Sequence, residues 1–304
     1  MIARLDRLRK YPSVFRHLTG LTVAAFDQLL ADVVPALDAA RRRTLDRADR
    51  ARAFGGGDRP DLSWADQVLL TVVWLRQYPT NEVLGFLFGV SDSTASRVRT
   101  RCVPVLEQAG KDTMRMPDPG AAGRKRLPAL LEDTPELAVV IDSFEQRTQR
   151  PKRRQRAYYS GKKKAHTLKS QVTVDEDTGD IVDVSDTVPG RWSDIKLLKR
   201  SRVLKRLPDG VGGLGDLGYT GIRDLHPRGA CPRKKPRGKT RPKRDVRYNR
   251  AFSRRRIVVE HALARLRRYR ALTDVNRHRR KGHAARVRAA AGLVNRMLRH
   301  GNAS

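Results

Sequence analysis

Cysteine is nearly absent from this chain. Only Cys102 and Cys231 occur in 304 residues, far apart and in unlike surroundings. That excludes a disulfide scaffold and fits a reducing compartment. The seven histidines are scattered, and no Cys/His group has the spacing of a zinc site. Long apolar runs are missing too. The longest, Val68–Leu75, falls far short of the ~20 residues that a membrane-spanning helix needs. The opening stretch Met-Ile-Ala-Arg-Leu-Asp-Arg-Leu-Arg-Lys lacks the apolar region of a secretory signal. These absences lead us to expect a soluble, cytoplasmic protein. Negative charge is also scarce: 32 Asp and Glu stand against 65 Lys and Arg, a formal net charge of +33. A compact chain with that excess repels itself unless a polyanion neutralises it. The basic residues come in blocks rather than evenly, so a nucleic acid is the expected partner and the nucleoid the expected place.

The front of the chain reads as helical. Residues 22–37 have helical spacing, with Thr22 as N-cap and Phe26, Leu29, Leu30 and Val33 on one face. An arginine-rich segment, 41–52, leads into Phe54-Gly-Gly-Gly-Asp-Arg-Pro60, which the glycines and proline mark as a loop. A second helix starts near Asp61 or Ser63 and ends at Gln77, where Tyr78-Pro79 stops it. Then Thr80–Phe88, the glycine turn Gly89-Val90-Ser91 and Asp92–Leu106 read as helix, tight turn and second helix, capped by Ser91 or Asp92. Any small helical hairpin has such a turn. What favours a helix-turn-helix that enters a DNA groove is the face of the second helix, where Ser93, Thr94, Ser96, Arg97 and Arg101 present small polar and basic groups.

Residues 111–135 contain Pro117, Gly120, Gly123 and Pro128 and read as a linker. Beyond them the periodicity becomes β-like. Leu137–Ile141 is an apolar run of strand length, His166–Val174 alternates weakly, and Ile181–Val188 alternates clearly after the turn Asp175–Asp180. Trp192–Leu207 reads as a helix and Val211–Leu214 as a short strand. Strand, hairpin pair, helix, strand and further helices make an α/β class with a mixed sheet. The expected division is 1–60 for an N-terminal helical segment and linker, 61–110 for the helix-turn-helix, 111–135 for the linker and 136–300 for the α/β domain.

Two basic tracts interrupt that domain. Nine of the eighteen residues from Arg147 to Lys164 are Lys or Arg, including Lys162, Lys163 and Lys164, with Tyr158 and Tyr159 among them. From Arg233 to Arg256 thirteen of twenty-four are basic, and this tract reads as a loop that orders on a phosphate backbone. Each phosphate neutralised on duplex DNA steepens the log–log salt slope by roughly 0.9, so affinity should fall sharply as salt rises.

Three acids stand out against this basic background. Asp142 ends the apolar run Leu137–Ile141, Asp216 follows Val211–Leu214 in a glycine-rich turn, and Glu260 lies in a helical pattern. Phosphodiester chemistry needs an activated oxygen and a stabilised leaving oxygen, which two Mg²⁺ ions on carboxylate ligands supply. Each acid has a duller reading. Asp142 or Asp216 alone could cap a turn, and Asp175, Asp177 and Asp180 are turn formers. Glu260 could sit on a solvated face among ion pairs. Glu145, just past Asp142, could be an outer group of the same site. On a helical wheel Val258, Ala262, Leu266 and Tyr269 fall within about 80°, with Arg256, Glu260 and Arg267 clustered within about 40° on the other side.

From about Leu137 to Leu272 the sequence resembles the DDE transposases of bacterial insertion sequences, in the group related to the eukaryotic Harbinger transposases. The resemblance rests on Val139-Val-Ile-Asp142, Tyr159-Ser-Gly-Lys162, Pro189-Gly-Arg-Trp-Ser-Asp194, Gly215-Asp-Leu-Gly-Tyr-Thr-Gly221, and Arg256-x-x-x-Glu260 with Arg267 after six more residues. Two positions depart from the family pattern: Ser253 where a tyrosine is frequent and Leu217 where a basic residue is frequent. The resemblance implies an RNase H-like fold in which Asp142, Asp216 and Glu260 hold two Mg²⁺ ions, with Mn²⁺ an acceptable substitute. It implies cutting and joining of DNA, by attack of water and then of a 3′-hydroxyl. Arg256 and Arg267 would contact DNA, and Asp194 would be a structural acid. It further implies binding of terminal inverted repeats and target DNA by a homodimer or larger synaptic complex. The rivals are a nuclease of the same fold that cuts without joining, and a non-enzymatic DNA-binding protein indifferent to loss of the three acids.

Overall fold

The structure is a computed structural model describing residues 3–46, 61–125 and 134–300. The arginine-rich stretch beyond 46, the glycine-rich segment 54–60 and Pro128 lie outside the described residues. The chain divides into two units, one of Met1–Thr113 with Arg268–Leu272 and Arg288–Ser304, the other of Met114–Arg267 with Thr273–Val287.

The first unit is all helix. Short α1 (Leu5–Leu8) and α2 (Pro12–Thr19) precede α3 (Val23–Leu45), which Thr22 caps by accepting the Ala25 N–H at 3.2 Å. α3 outruns the expected 22–37 and passes through Pro35. The missing N–H of a proline weakens a helix, but Leu29, Val33 and Leu37 are buried along the same side and hold it. α4 (Trp64–Gln77) starts at a Ser63 cap and stops at Tyr78, whose φ of 54° is left-handed. α5 (Asn81–Phe88), the turn at Gly89 and α6 (Asp92–Lys111) form the expected helix-turn-helix, with Ser91 accepting the Thr94 N–H at 3.1 Å. Glycine is required at 85, because a Cβ there would lie 2.5 Å from the Val90 carbonyl oxygen. No single helix among the described residues is long and apolar enough to cross a membrane.

The second unit is a mixed seven-stranded sheet flanked by helices. Its strands are β1 (Leu137–Arg147), β2 (Tyr159–Ser160), β3 (Ala165–Asp175), β4 (Ile181–Val184), β5 (Val188–Pro189), β6 (Val211–Leu214) and β7 (Gly229–Ala230). A short α7 (Gln155–Tyr158) precedes β2, and α8 (Asp194–Ser201) links β5 to β6. After β7 comes α9 (Lys243–Arg267); α10 (Arg270–Thr273) falls almost wholly in the first unit, and α11 (His283–His300) begins in the second and continues in the first. β3 pairs antiparallel with β1 on one side and with β2, β4 and β5 on the other, while β1, β6 and β7 run parallel. The weak alternation of β3 now has its reason. Every residue from Thr167 to Asp175 is buried, so both faces are covered and neither needs to be polar.

One face of β1 places Leu137, Val139 and Ile141 in a core with Leu198, Val203, Leu204, Tyr219 and Ile222. α9 packs against β1 and β3, and with the first face filled by α8 and the turns it covers the opposite one. Two expectations need correction. The helix read over Trp192–Leu207 breaks at Arg202, with φ of 55°, into α8 and a 3₁₀ turn at Val203–Arg206. The basic tract 233–256 is not all loop: from Lys243 onward it is α9, because Tyr248, Phe252 and Arg255 are buried and supply a core-facing stripe.

Candidate active site

β1 and β6 run parallel with Val140 opposite Leu214. Asp142 and Asp216 each follow by two residues. Asp142 continues β1 while Asp216 caps the turn just beyond β6, so the two acids meet where the parallel pair ends. Asp142 is not at the end of its strand, as expected, but in the middle of β1. It lies at the end of the parallel pairing, where β6 turns away. Each acid also holds its own turn or strand: Asp142 accepts the Ser143 N–H at 2.7 Å and Asp216 the Gly218 N–H at 2.8 Å. Burial pushes the Asp142 carboxyl above the ordinary Asp value. The Ser143 amide and the Arg256 guanidinium pull it back, and Asp216 and Asp194 push it further up. Burial, followed by Asp194, Asp142 and Asp216, also holds the Tyr219 phenol well above its usual range. The three aspartates thus share one electrostatic neighbourhood.

α9 brings the third acid's helix to this place. Its buried stripe is Tyr248, Phe252, Arg255, Val259, Ala262, Leu263 and Leu266, turned by about 45° from the wheel read off the sequence. Val258 is only half-buried, and Tyr269 lies past the helix end. The cause of the rotation is Arg255, which donates to Glu176 Oε2 at 2.6 Å and to the Pro135 carbonyl at 2.8 Å. Arg256 is left at the edge of the stripe, where its Nη2 reaches Asp142 Oδ2 at 3.4 Å. Glu260 stands one turn on, about 6 Å of axial rise, and is exposed.

The structure thus brings Asp142 and Asp216 together and places Glu260 on the helix that touches Asp142. It does not gather the three into a closed cage. Among the described residues no three His, Cys, Asp or Glu side chains are close enough to hold a metal ion. The donor chemistry nonetheless suits a hard divalent cation, since the ligands offered are carboxylate oxygens. Asp142 is disfavoured as a bare anion, and the Arg256 guanidinium stands 3.4 Å from it.

Glu145 does not belong to this group. It lies an odd number of residues from Asp142, so it leaves β1 on the opposite face. There it accepts from Thr167 Oγ1 at 2.6 Å and pairs with Lys169 at 3.4 Å. Lys169 and Arg255 escaped the sequence reading. For Lys169 the available signal was a lone cation inside an otherwise uncharged stretch of strand; Arg255, between Arg254 and Arg256, carried none.

The residues expected to meet DNA are mostly at the surface. Ser93, Arg97 and Arg101 of α6 are exposed, with Thr94 and Ser96 half-buried between them. Arg97 donates to Thr94 Oγ1 at 3.2 Å, and Arg101 donates to Gln67 Oε1 at 3.0 Å. Lys162, Lys163 and Lys164 form the exposed turn between β2 and β3, where Lys164 takes a left-handed φ of 50°. Arg267 is exposed at the end of α9.

Residues 141–295 match the family described as DDE superfamily endonuclease. Residues 60–112 match the helix-turn-helix of DDE superfamily endonuclease. A probable transposase for insertion sequence element IS702, from Microchaete diplosiphon, is 31% identical over 281 residues, which is 92% of this chain and 93% of that protein. Among solved structures, the Mos1 transposase paired-end complex with left transposon end overlays 76% of this chain and 78% of its own, at 14% identity and a TM-score of 0.19. A pre-cleavage Mos1 transpososome overlays 87% and 98%, at 10% identity and a TM-score of 0.18. At such scores neither overlay bears on the geometry above.

Proposed function

We propose, from the premise that this chain belongs to the DDE superfamily endonucleases and within them to the transposases of insertion sequences, that Asp142, Asp216 and Glu260 are its catalytic carboxylates. In this reading they hold two Mg²⁺ ions, which Mn²⁺ can replace. The observation that supports it best is that Asp142 and Asp216 each stand two residues past the last parallel pair, Val140 opposite Leu214, and act on each other electrostatically. The chemistry that divalent cations supply at such a site is activation of an attacking oxygen and stabilisation of the leaving one.

The chain's own residues do the rest. Asp142 and Asp216 bind from the sheet, and Glu260 completes the set from α9. Arg256, already against Asp142, neutralises the pair until the site is loaded and then faces the scissile phosphate. Arg267 and Lys162, Lys163 and Lys164 hold the flanking backbone by charge. Ser93, Thr94, Ser96, Arg97 and Arg101 read the terminal inverted repeats from the major groove. End recognition is assigned to 61–110 and cutting to 136–300, with 1–60 and 111–135 flanking. Joining requires two ends at once, so the active form is a homodimer or larger synaptic complex on DNA at the nucleoid.

The test uses purified protein and a supercoiled plasmid carrying the element's own terminal repeats. Cutting at the ends is expected in Mg²⁺ or Mn²⁺, with binding but no cutting in EDTA. Binding without cutting in either metal would replace this reading with that of a DNA-binding protein that is not an enzyme.

A further inference from the structure

Behind the two aspartates, on the opposite face of β1, lies a polar cluster that no metal ligand requires. Lys169 on β3 is opposite Glu145 in the antiparallel register, and its side chain is only 8% exposed. Its ammonium donates to the Trp192 carbonyl at 2.8 Å and to Asp194 Oδ1 at 3.0 Å, and pairs with Glu145 at 3.4 Å. A lysine buried this far needs hydrogen-bond and ion-pair partners of this kind. It fixes Asp194 at the start of α8.

Asp194 in turn touches both elements that carry the candidate ligands. Its Oδ1 accepts from Ser143 Oγ at 2.6 Å, and the Ser143 amide is the group that holds Asp142 at 2.7 Å. Its Oδ2 is aimed at Gly218, where a Cβ would lie 2.6 Å from that oxygen and 3.0 Å from Asp216 Oδ1. The Gly218 amide is the group that holds Asp216 at 2.8 Å. One carboxylate therefore bonds to the residue that orients Asp142 and fills the space beside the residue that orients Asp216.

We propose that Asp194, held by Lys169 and bonded to Ser143, is a positioning residue that sets the separation and direction of Asp142 and Asp216. This rests on the reading of those two as the metal-holding pair. Lys169 offsets part of the charge of Glu145 and Asp194 and ties both carboxylates to one ammonium. Groups that orient ligands in this way control metal affinity by about 10–100-fold when removed.

The test is Mn²⁺ binding to the full-length protein, read as the loss of the free-ion EPR signal, alongside thermal melts and DNA binding in EDTA. Asp194→Asn keeps the size of the side chain and its acceptor for Ser143 but weakens the link to Lys169. It is expected to raise the Mn²⁺ Kd about tenfold or more, with DNA affinity unchanged. Ser143→Ala removes only the hydroxyl bond and should shift the Kd the same way by less, and it decides the matter if Asp194→Asn does not fold. Asp142→Asn is the control. If it abolishes Mn²⁺ binding while the folded Asp194→Asn and Ser143→Ala proteins bind as wild type, the positioning role is wrong and the metal reading stands. If Asp142→Asn itself binds Mn²⁺ normally, the metal reading fails.

Discussion

Asp142→Asn is expected to lower strand cleavage by roughly 10³-fold or more, to leave DNA binding intact, and to raise the melting temperature at neutral pH. The three outcomes have one cause. Asp142 is mostly buried and faces Asp216 and Asp194, with Arg256 3.4 Å away. Its folded-state pKa lies above the ordinary Asp value of 3.8, so the folded protein binds a proton more tightly than the unfolded chain does. A carboxyl of that kind lowers stability as pH rises from about 3.8 through its raised folded value, and the full penalty is present above it. The amide carries no such penalty. The melting-temperature gain of Asp142→Asn should therefore be largest near neutral pH and shrink as pH falls through that window. Melts from pH 3 to pH 8 beside a cleavage assay check it. A gain independent of pH would sink the electrostatic explanation, and unimpaired cleavage would remove Asp142 from the chemistry. Asp216→Asn should match the loss of cleavage.

Arg255→Met is expected to cost about 3–5 kcal/mol of stability, as breaking one side of a buried ion pair does. Arg255 and Glu176 are 5% and 6% exposed, and the arginine also closes the Pro135 carbonyl. Burial already pushes the Glu176 carboxyl up despite the arginine beside it, so loss of that arginine leaves an uncompensated acid under α9. Glu260 follows five residues later on the same helix, and cleavage should fall as well. The double variant Arg255→Met with Glu176→Leu should recover most of the stability, because an apolar pair of similar volume can replace a buried ion pair. Urea melts of the three proteins measure it. A single variant as stable as wild type would mean that the pair does not anchor α9.

What could be read from the residues alone was decided by range. Val211–Leu214 was legible as a strand because glycines bracket a short apolar run, and the helix-turn-helix was legible because caps and turns are local. Asp142 and Asp216 stood out as lone acids after apolar runs. Glu260 stood out as well, but on a helix a solvated face with ion pairs explains it equally, and the resemblance decided between the two readings. The mid-strand place of Asp142 was hidden because β1 continues through Ser143, Glu145 and Gln146, whose partners lie on β3 and beyond. The rotation of α9 was hidden for the same reason, since Arg255 pairs across 79 positions with Glu176. Lys169 pairs across 25 with Asp194. Charged residues recruited into a core by distant partners look like surface residues to any periodicity.

In the proposed reading Asp142 and Asp216 are direct ligands of the metal that cutting requires. Replacing each in turn by cysteine tests it most directly, because a thiolate is a poor ligand for Mg²⁺ and a better one for Mn²⁺. With the plasmid carrying the terminal repeats, Asp142→Cys and Asp216→Cys are expected to be inactive in Mg²⁺ and to regain cutting at the same ends in Mn²⁺. Equal inactivity in both metals, with DNA binding and folding intact, would contradict direct ligation, and full activity in Mg²⁺ would contradict any role for these carboxylates in the reaction.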